Sequence, residues 1–578
     1  VGIPCEVNDN LSFIGFRVKA VSGESADGEQ QMIPVLPAVI PVVETIPFYL
    51  NPTDGDTIIN IDQFPKDAHI SMEYCNNPVW YCLSALPTIY DAESKTASGL
   101  IHNLYAVTLA KGVSEKNAMI AEALKKIQSE NESLSFDEDT AKKIIKALCD
   151  LQNKDGGISW FDWEHRESSE YVTYEVLELL GELRYLGFEI KDSDILKLEK
   201  DALAYYEKQQ LEHLEDLKKY AKESKTDVNY SYFDSYLYLR TLYPTEQYSI
   251  SKASKKLLKN TLESVEKNWR EFSLPTRGFV ALSLYRNDKV KTARLIMESM
   301  RQFAMKDARR GMFWDNLQTF GFRWYQRTAL TALMLEAFNE IDPRAEEIDQ
   351  IRKWMLLEKQ TTDWGSSSMA AEATFALIST GSEWLVSSDC EYYKKDIDST
   401  LLASDNSIKI FHNPGAPAWG AVYAKFPSMI KDTKAFKLDE IEITKELHKH
   451  DGGKIVDLSD IHVGDKLQVM LTINTDRDMQ YVTIKDNRAA CFEPVDKTSG
   501  YQFSDSNIKN RQSIGYYNDI KDTENRIMIY FLPKGSHVIT YDVYVTNSGE
   551  FCTGLAEVTC EYAPQFTAHT AGDIISVK

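Results

Sequence analysis

No uncharged apolar run in this 578-residue sequence approaches the roughly 20 residues a membrane-crossing helix needs, so a membrane-spanning helix is not expected. Basic residues are in short supply: 65 Lys and Arg face 87 Asp and Glu, for a formal charge of −22. Phosphate binding needs clustered cations on a net basic surface, which excludes nucleic acid as a partner. Cysteine is sparse too, with eight residues at 5, 75, 82, 149, 390, 491, 552 and 560, no Cys-x-x-Cys pair and no Cys/His spacing of a zinc site. No metal and no cofactor are expected, and the count marks no disulfide scaffold. The nucleophile elbow Gly-x-Ser-x-Gly, the His-Glu-x-x-His zinc helix and the phosphate-binding loop are all missing. The histidines are scattered, and only His448 and His450 fall close together, beside Asp451 in what reads as a solvated linker. The sequence opens Val1-Gly2-Ile3-Pro4 without a basic or apolar leader, so it carries no readable targeting signal and reads as an excised piece.

What is present is enough chain for about three to five folding units. Up to residue 50 the pattern is that of strands, with alternation in Phe13-Ile14-Gly15-Phe16-Arg17-Val18. The Pro-rich run Ile33-Pro34-Val35-Leu36-Pro37-Ala38-Val39-Ile40-Pro41 then predicts an edge strand or extended linker. From about 70 to 380 the period shifts to 3.6, as in Ile144, Ile145, Leu148 and Leu151. Ser135 and Glu138 have capping-box spacing there, and Asp137-Glu138-Asp139 puts carboxylates at a helix N-terminus. Further helices are predicted from Tyr171 to Leu183, Phe279 to Tyr285 and Trp324 to Ile341, roughly a dozen in all, the last stopped by Asp342-Pro343. Between helices recur Asp155-Gly156-Gly157-Ile158-Ser159-Trp160, Gly311-Met312-Phe313-Trp314 and Asp363-Trp364-Gly365. In these turns Gly permits a tight reversal and Trp is expected to fill a large apolar site. Repeated hairpins of this kind close on themselves as an α/α toroid. After about 386 strands return: Val469, Leu471 and Ile473 alternate with Gln468, Thr472 and Asn474, and Ile539, Tyr541, Val543 and Val545 share a face. Asp451-Gly452-Gly453, Pro533-Lys534-Gly535 and Asn547-Ser548-Gly549 punctuate them as turns of a sandwich.

Several segments carry a more specific resemblance. They are Phe16-Arg17-Val18-Lys19-Ala20 with Asp27-Gly28-Glu29-Gln30-Gln31, then Leu151-Gln152-Asn153-Lys154-Asp155-Gly156-Gly157 and Ala416-Pro417-Ala418-Trp419-Gly420-Ala421-Val422-Tyr423. Lys485-Asp486-Asn487-Arg488-Ala489-Ala490-Cys491-Phe492-Glu493-Pro494, Leu532-Pro533-Lys534-Gly535 and Tyr562-Ala563-Pro564-Gln565-Phe566-Thr567-Ala568-His569 complete the set. Together they resemble the C-terminal region of the bacterial alpha-2-macroglobulin family, essentially along the whole chain.

That resemblance implies a multidomain α and β fold, with an α/α toroid inserted in a CUB-like β domain and flanked by macroglobulin-like β-sandwich segments. The implied divisions are 1–46 for the end of a macroglobulin-like domain, 47–70 and 385–445 for the two parts of the CUB-like domain, 71–384 for the toroid and 446–578 for the terminal sandwich. It further implies part of an endopeptidase inhibitor. Proteases would meet it through a bait region N-terminal to this chain, and other domains of the full-length protein would pack on it. Localisation would be extracytoplasmic, in the bacterial periplasm or cell envelope, with any membrane anchor in that N-terminal part.

The family's reactive thioester joins a Cys to a Gln three residues later in a Cys-x-Glu-Gln segment. Here Pro78, Trp80 and Tyr81 stand at the places of Cys, Glu and Gln, and none can form that bond. Pro78 reads instead as a first-turn residue and Trp80 as a packing anchor. Cys149-Asp150-Leu151-Gln152 alone has Cys with Gln at i+3, and late in an amphipathic helix that Cys reads as a small hydrophobe. The expectation is a non-catalytic module of a conformational protease trap. Two alternatives stay open: a non-inhibitory cell-envelope scaffold or adhesion protein, and a carbohydrate-active enzyme with paired carboxylates in the toroid's mouth.

Overall fold

A computed structural model of the chain describes residues 13–35, 39–131, 133–315, 326–387, 390–397, 406–449, 457–504 and 513–578. The expectations placed on Cys5, Leu36-Pro37-Ala38, Trp324, His450 and Asp451-Gly452-Gly453 lie outside them.

Thirteen α-helices occur among the described residues: α1 (Val79–Ile89), α2 (Ala97–Ser114), α3 (Ala118–Glu130), α4 (Glu138–Asp150), α5 (Glu170–Tyr185), α6 (Ser193–Ser224), α7 (Asp234–Thr241), α8 (Lys252–Asn268), α9 (Leu274–Arg286), α10 (Val290–Phe303), α11 (Arg327–Ile341), α12 (Ala345–Thr361) and α13 (Ser367–Thr380). Side-chain caps start many of them. Thr96, Asn117, Asp137, Ser169, Asp192, Ser251, Ser273 and Ser366 each accept a first-turn N–H that would otherwise be orphaned. At α4 the cap is Asp137 rather than Ser135, whose hydroxyl donates to the Asp137 carboxylate at 2.8 Å.

Helices α2, α5, α7, α9, α11 and α13 touch in succession, and α13 returns to touch α2, closing an α/α ring. These inner helices are buried nearly all round, which explains their weak amphipathicity; outer helices such as α4 and α10 bury one stripe only.

The Gly/Trp turns are the ring's repeated hinges. Gly156, Gly311 and Gly365 all have left-handed φ, of 91°, 95° and 97°. A Cβ would lie 2.3 Å from the Asp201 carbonyl oxygen at the first and 2.2 Å from that of Gln350 at the second, so each glycine lets an outer helix approach closely. Trp314 and Trp364 are 0% and 1% exposed, and their indole N–H groups donate to the Met300 and Met355 carbonyls. Trp160 departs from expectation, being 40% exposed. The hydrogen bonding gives the reason: the Ile158 N–H donates to Thr173 as the Trp314 N–H donates to Thr331, so Ile158 is the true counterpart of Trp314 and fills the inner site. Trp160 lies two residues further on, at the surface.

Beside the ring, strands Val39–Leu50, Ala418–Met429, His69–Cys75 and Tyr392–Asp396 form one antiparallel sheet in that order. Val39–Leu50 is an edge strand, as its prolines require. It runs without a break across the expected division between residues 46 and 47. The hairpin Phe13–Ser22 with Ser25–Pro34 precedes it.

The C-terminal region is a sandwich. One sheet orders Ile441–Lys449, Lys466–Thr475, Gly535–Val545 and Phe492–Pro494. The other orders Gly500–Phe503, Gly515–Ile520, Glu524–Leu532, Met479–Asn487, Ala556–Cys560 and Thr567–His569. Val469, Leu471 and Ile473 from the first meet Val482, Ile484 and Ile527 from the second in one core. An ion pair spans the layers, with Lys445 Nζ 2.6 Å from Asp486, which also accepts the Tyr541 hydroxyl at 2.5 Å. Strand Ile441–Lys449 belongs wholly to this sandwich, so the expected division at 445/446 moves to before Ile441. His448 lies in that strand, buried and bonded to Glu446, because an internal strand position replaces the expected solvated linker.

Candidate functional site: the seams of the ring

The first seam is where the chain enters and leaves the ring. Strand His69–Cys75 passes through Asn76-Asn77-Pro78 into α1. Proline there needs no N–H donor, and its φ of −58° and ψ of −20° already suit a helix start. Asn77 supplies the cap: its carbonyl side-chain oxygen accepts the Val79 N–H at 3.0 Å, while its amide donates to the Trp384 carbonyl beyond α13 at 3.0 Å. Asn76 accepts the Glu391 N–H at 2.7 Å. Two neutral amides therefore tie the ring's start to its end.

The residues singled out from sequence come together here. Pro78 is buried; Trp80 is half-buried with its ring 5.8 Å from Tyr392; Tyr81 packs its ring 4.6 Å from Trp419. Burial pushes the Tyr81 phenol well above its ordinary value, and the neighbouring Cys75 and Glu73 push it the same way. Burial also pushes the Cys75 thiol well up and the Cys82 thiol to about 12, so both stay protonated and unreactive at neutral pH. Cys149 and Gln152 stand apart from this seam, at the end of α4. Burial raises the half-buried Cys149 thiol to about 11, and the Gln152 amide donates to the Gly156 and Leu198 carbonyls at 2.9 and 3.0 Å. That carboxamide braces a turn.

The second seam joins ring and sandwich and is charged. Arg327 lies 2.8 Å from Asp315 and 3.3 Å from Asp478 of the sandwich, and Arg309 lies 2.7 Å from Asp439. The Thr361 hydroxyl donates to the Asp478 carbonyl at 2.8 Å, and the Asp363 N–H to Gln480 at 2.7 Å. Glu358 is buried beside Arg310, 3.7 Å away. Burial, then the charge of Asp478, raises its carboxyl to about 7, opposed by Arg327, Arg310 and Arg477. Trp364 and Tyr481, on either side of the Asp363–Gln480 contact, both hold left-handed φ of 66° and 53°. Sequence reading missed this seam, since its partners lie more than a hundred residues apart.

In the docked sandwich, residues 441–565 match the profile of the bacterial alpha-2-macroglobulin MG10 domain. Over that stretch the chain is similar to a bacterial alpha-2-macroglobulin MG10 domain. Solved structures similar to the chain include Salmonella alpha-2-macroglobulin reacted with methylamine, at 14% identity and a TM-score of 0.37 over 98% of this chain and 36% of that one. They also include native Escherichia coli alpha-2-macroglobulin from domain MG7 to the C-terminus, at 13% identity, TM-score 0.37, 98% of this chain and 88% of that one. The trypsin-activated Escherichia coli protein matches at 13% identity, TM-score 0.43, 98% of this chain and 38% of that one. This chain thus spans little more than a third of the Salmonella protein. No curated protein sequence matches it.

Proposed function

We propose that the whole chain is the C-terminal part of a bacterial alpha-2-macroglobulin that restrains endopeptidases by conformational trapping, without covalent capture. The MG10 match anchors the reading at one end. The first sheet would be the two-part CUB-like domain, the closed ring the thioester-type domain, and the hairpin Phe13–Ser22 with Ser25–Pro34 the end of a preceding macroglobulin domain. The observation that carries the mechanism is the start of α1, where Pro78, Trp80 and Tyr81 offer neither a thiol nor a carboxamide. Capture would then rest on relative movement of ring and sandwich after a protease cuts a bait segment elsewhere in the protein. The location that suits this work is the periplasm or cell envelope.

The test is a trapping assay on the full-length protein. A trapped endopeptidase should lose activity on a large protein substrate while keeping it on a short chromogenic peptide. Equal activity on both, across several endopeptidases, would favour the scaffold or adhesion alternative.

One observation speaks for the enzyme alternative. Burial raises Glu336 of the ring to about 7, a value suited to acid–base catalysis. Arg286, however, lies 2.7 Å from both Glu336 and Glu340 and donates to both Glu340 oxygens, from Nε to Oε1 at 2.9 Å and from Nη2 to Oε2 at 2.7 Å, which fits a structural clamp. The isolated chain is expected to show no glycosidase, lyase or protease turnover. Turnover that Glu336→Gln abolishes would reverse the reading.

A further inference from the structure

A groove of about 650 Å³ opens at one end of the ring, where α7, α8 and α9 and the turn after α7 meet. That volume lies within the roughly 300–1,000 Å³ typical of small-molecule sites. Tyr243, Leu258 and Leu262 contribute apolar wall. Its base holds Arg240, 9% exposed. This guanidinium makes a single hydrogen bond, from Nη2 to the Tyr248 carbonyl at 3.0 Å, and its buried Nε has no acceptor among the described residues. No described carboxylate forms an ion pair with it.

A buried cation without a counter-charge is costly, and a guanidinium is built to receive two oxygens of one oxyanion. Lys255 and Lys259, one turn apart on α8, line the same groove; both are exposed, and Lys259 is only 4.0 Å from Glu263 in a surface pair. The lining acid, Glu340, is already neutralised by Arg286. In a chain of charge −22 the groove is therefore locally cationic. The larger groove of about 1240 Å³ along α6 differs: acids and lysines alternate along it, as in Glu207, Lys208, Glu212, Glu215 and Lys219.

We propose that the α7–α8 groove binds a small organic oxyanion, a carboxylate or a phosphate monoester on an apolar body, with Arg240 as the buried anchor and the two lysines at the mouth. The inference is independent of protease trapping. Calorimetric titration of the full chain with phenyl phosphate, benzoate, inorganic phosphate and an acidic hexapeptide tests it. One aryl anion should saturate a single site, and which of the two binds tighter identifies the head group. Arg240→Gln should weaken that binding at least ~10-fold, as for loss of a hydrogen-bonded charge. The exposed pair Lys255→Gln/Lys259→Gln should weaken it about 3-fold, as for a screened surface charge. If Arg240→Gln does not fold, the lysine pair, whose sites are exposed, decides alone. The proposal is overturned by the absence of saturable binding of either aryl anion or by unchanged affinity in folded variants. Equal binding of inorganic phosphate, or tighter binding of the hexapeptide, would overturn it too.

Discussion

The two seams of the ring differ in kind. Where the ring joins the first sheet, contact is made by neutral amides and packed aromatics: Asn76, Asn77, Tyr81 and Trp419. Where it meets the C-terminal sandwich, the ion pairs Arg309–Asp439 and Arg327–Asp478 cross the boundary beside two hydrogen bonds, from Thr361 to Asp478 and from Asp363 to Gln480. Neutral hydrogen bonds and buried rings respond little to salt or pH, whereas partly exposed ion pairs respond to both. The contrast assigns permanence to the first seam and adjustability to the second, which is where the proposed conformational trap would need it.

The largest expected effect breaks the neutral seam. Trp419, 3% exposed, packs against Tyr81 with the rings tilted, and Trp419→Ala should cost about 3–5 kcal/mol, as for other large core truncations. Urea unfolding measures this, and a loss below 1 kcal/mol would mean the seam does not hold the ring. Next comes Asn77→Ala, which leaves the Val79 N–H and the Trp384 carbonyl unpaired in a buried site. The expected loss is about 1–3 kcal/mol, unchanged by added salt.

The charged seam should behave otherwise. Asp478→Ala removes a partner of Arg327 and the acceptor of the Lys534 N–H. Both charges are partly exposed, so the cost should be about 1 kcal/mol and shrink in high salt. Limited proteolysis between ring and sandwich should quicken in parallel. A loss equal to that of Asn77→Ala and indifferent to salt would erase the distinction.

A further expected effect is on pH dependence. Burial raises Glu358 from its ordinary 4.5 to about 7, so between these values the folded protein keeps a proton that the unfolded chain has released. Stability from this group is fully present below pH 4.5 and is lost as pH rises through 7. Glu336 inside the ring shifts the same way, also to about 7. Glu358→Gln should therefore flatten only part of the decline between pH 5 and 8, as read from urea midpoints, and Glu336→Gln another part. A slope unaffected by Glu358→Gln would remove the seam from the pH response.

Much of this was legible in the sequence. Period-3.6 stretches such as Ile144, Ile145 and Leu148 mark helices because each buries one stripe, and alternation at Val469, Leu471 and Ile473 marks a strand because its faces meet core and solvent in turn. The expectation placed on Pro78, Trp80 and Tyr81 rests on local spacing and resemblance, and the structure puts all three at the start of α1. Other features depend on contacts that no local window contains. Trp160 looks like Trp314 in sequence, and only the pairing of Ile158 with Thr173 shows which residue fills the inner site. The pairs Arg327–Asp478 and Lys445–Asp486 join distant segments, and each residue alone reads as ordinary surface charge. Asn76-Asn77-Pro78 did carry a local sign, since Asn before Pro favours a helix entrance, but its tie to Trp384 emerges only when the ring closes.

The most direct test of the central claim is methylamine treatment of native and denatured protein, with intact mass and free thiols measured before and after. An internal thioester opened by the amine gains its mass and releases one thiol. With Pro78 and Tyr81 at the position that the proposed reading assigns to the reactive pair, and with the Gln152 amide bound to the Gly156 and Leu198 carbonyls, mass and thiol count should both stay unchanged. A mass gain coupled to one new thiol would contradict the account, and mapping it to Gln152 would make Cys149 and Gln152 the reactive pair.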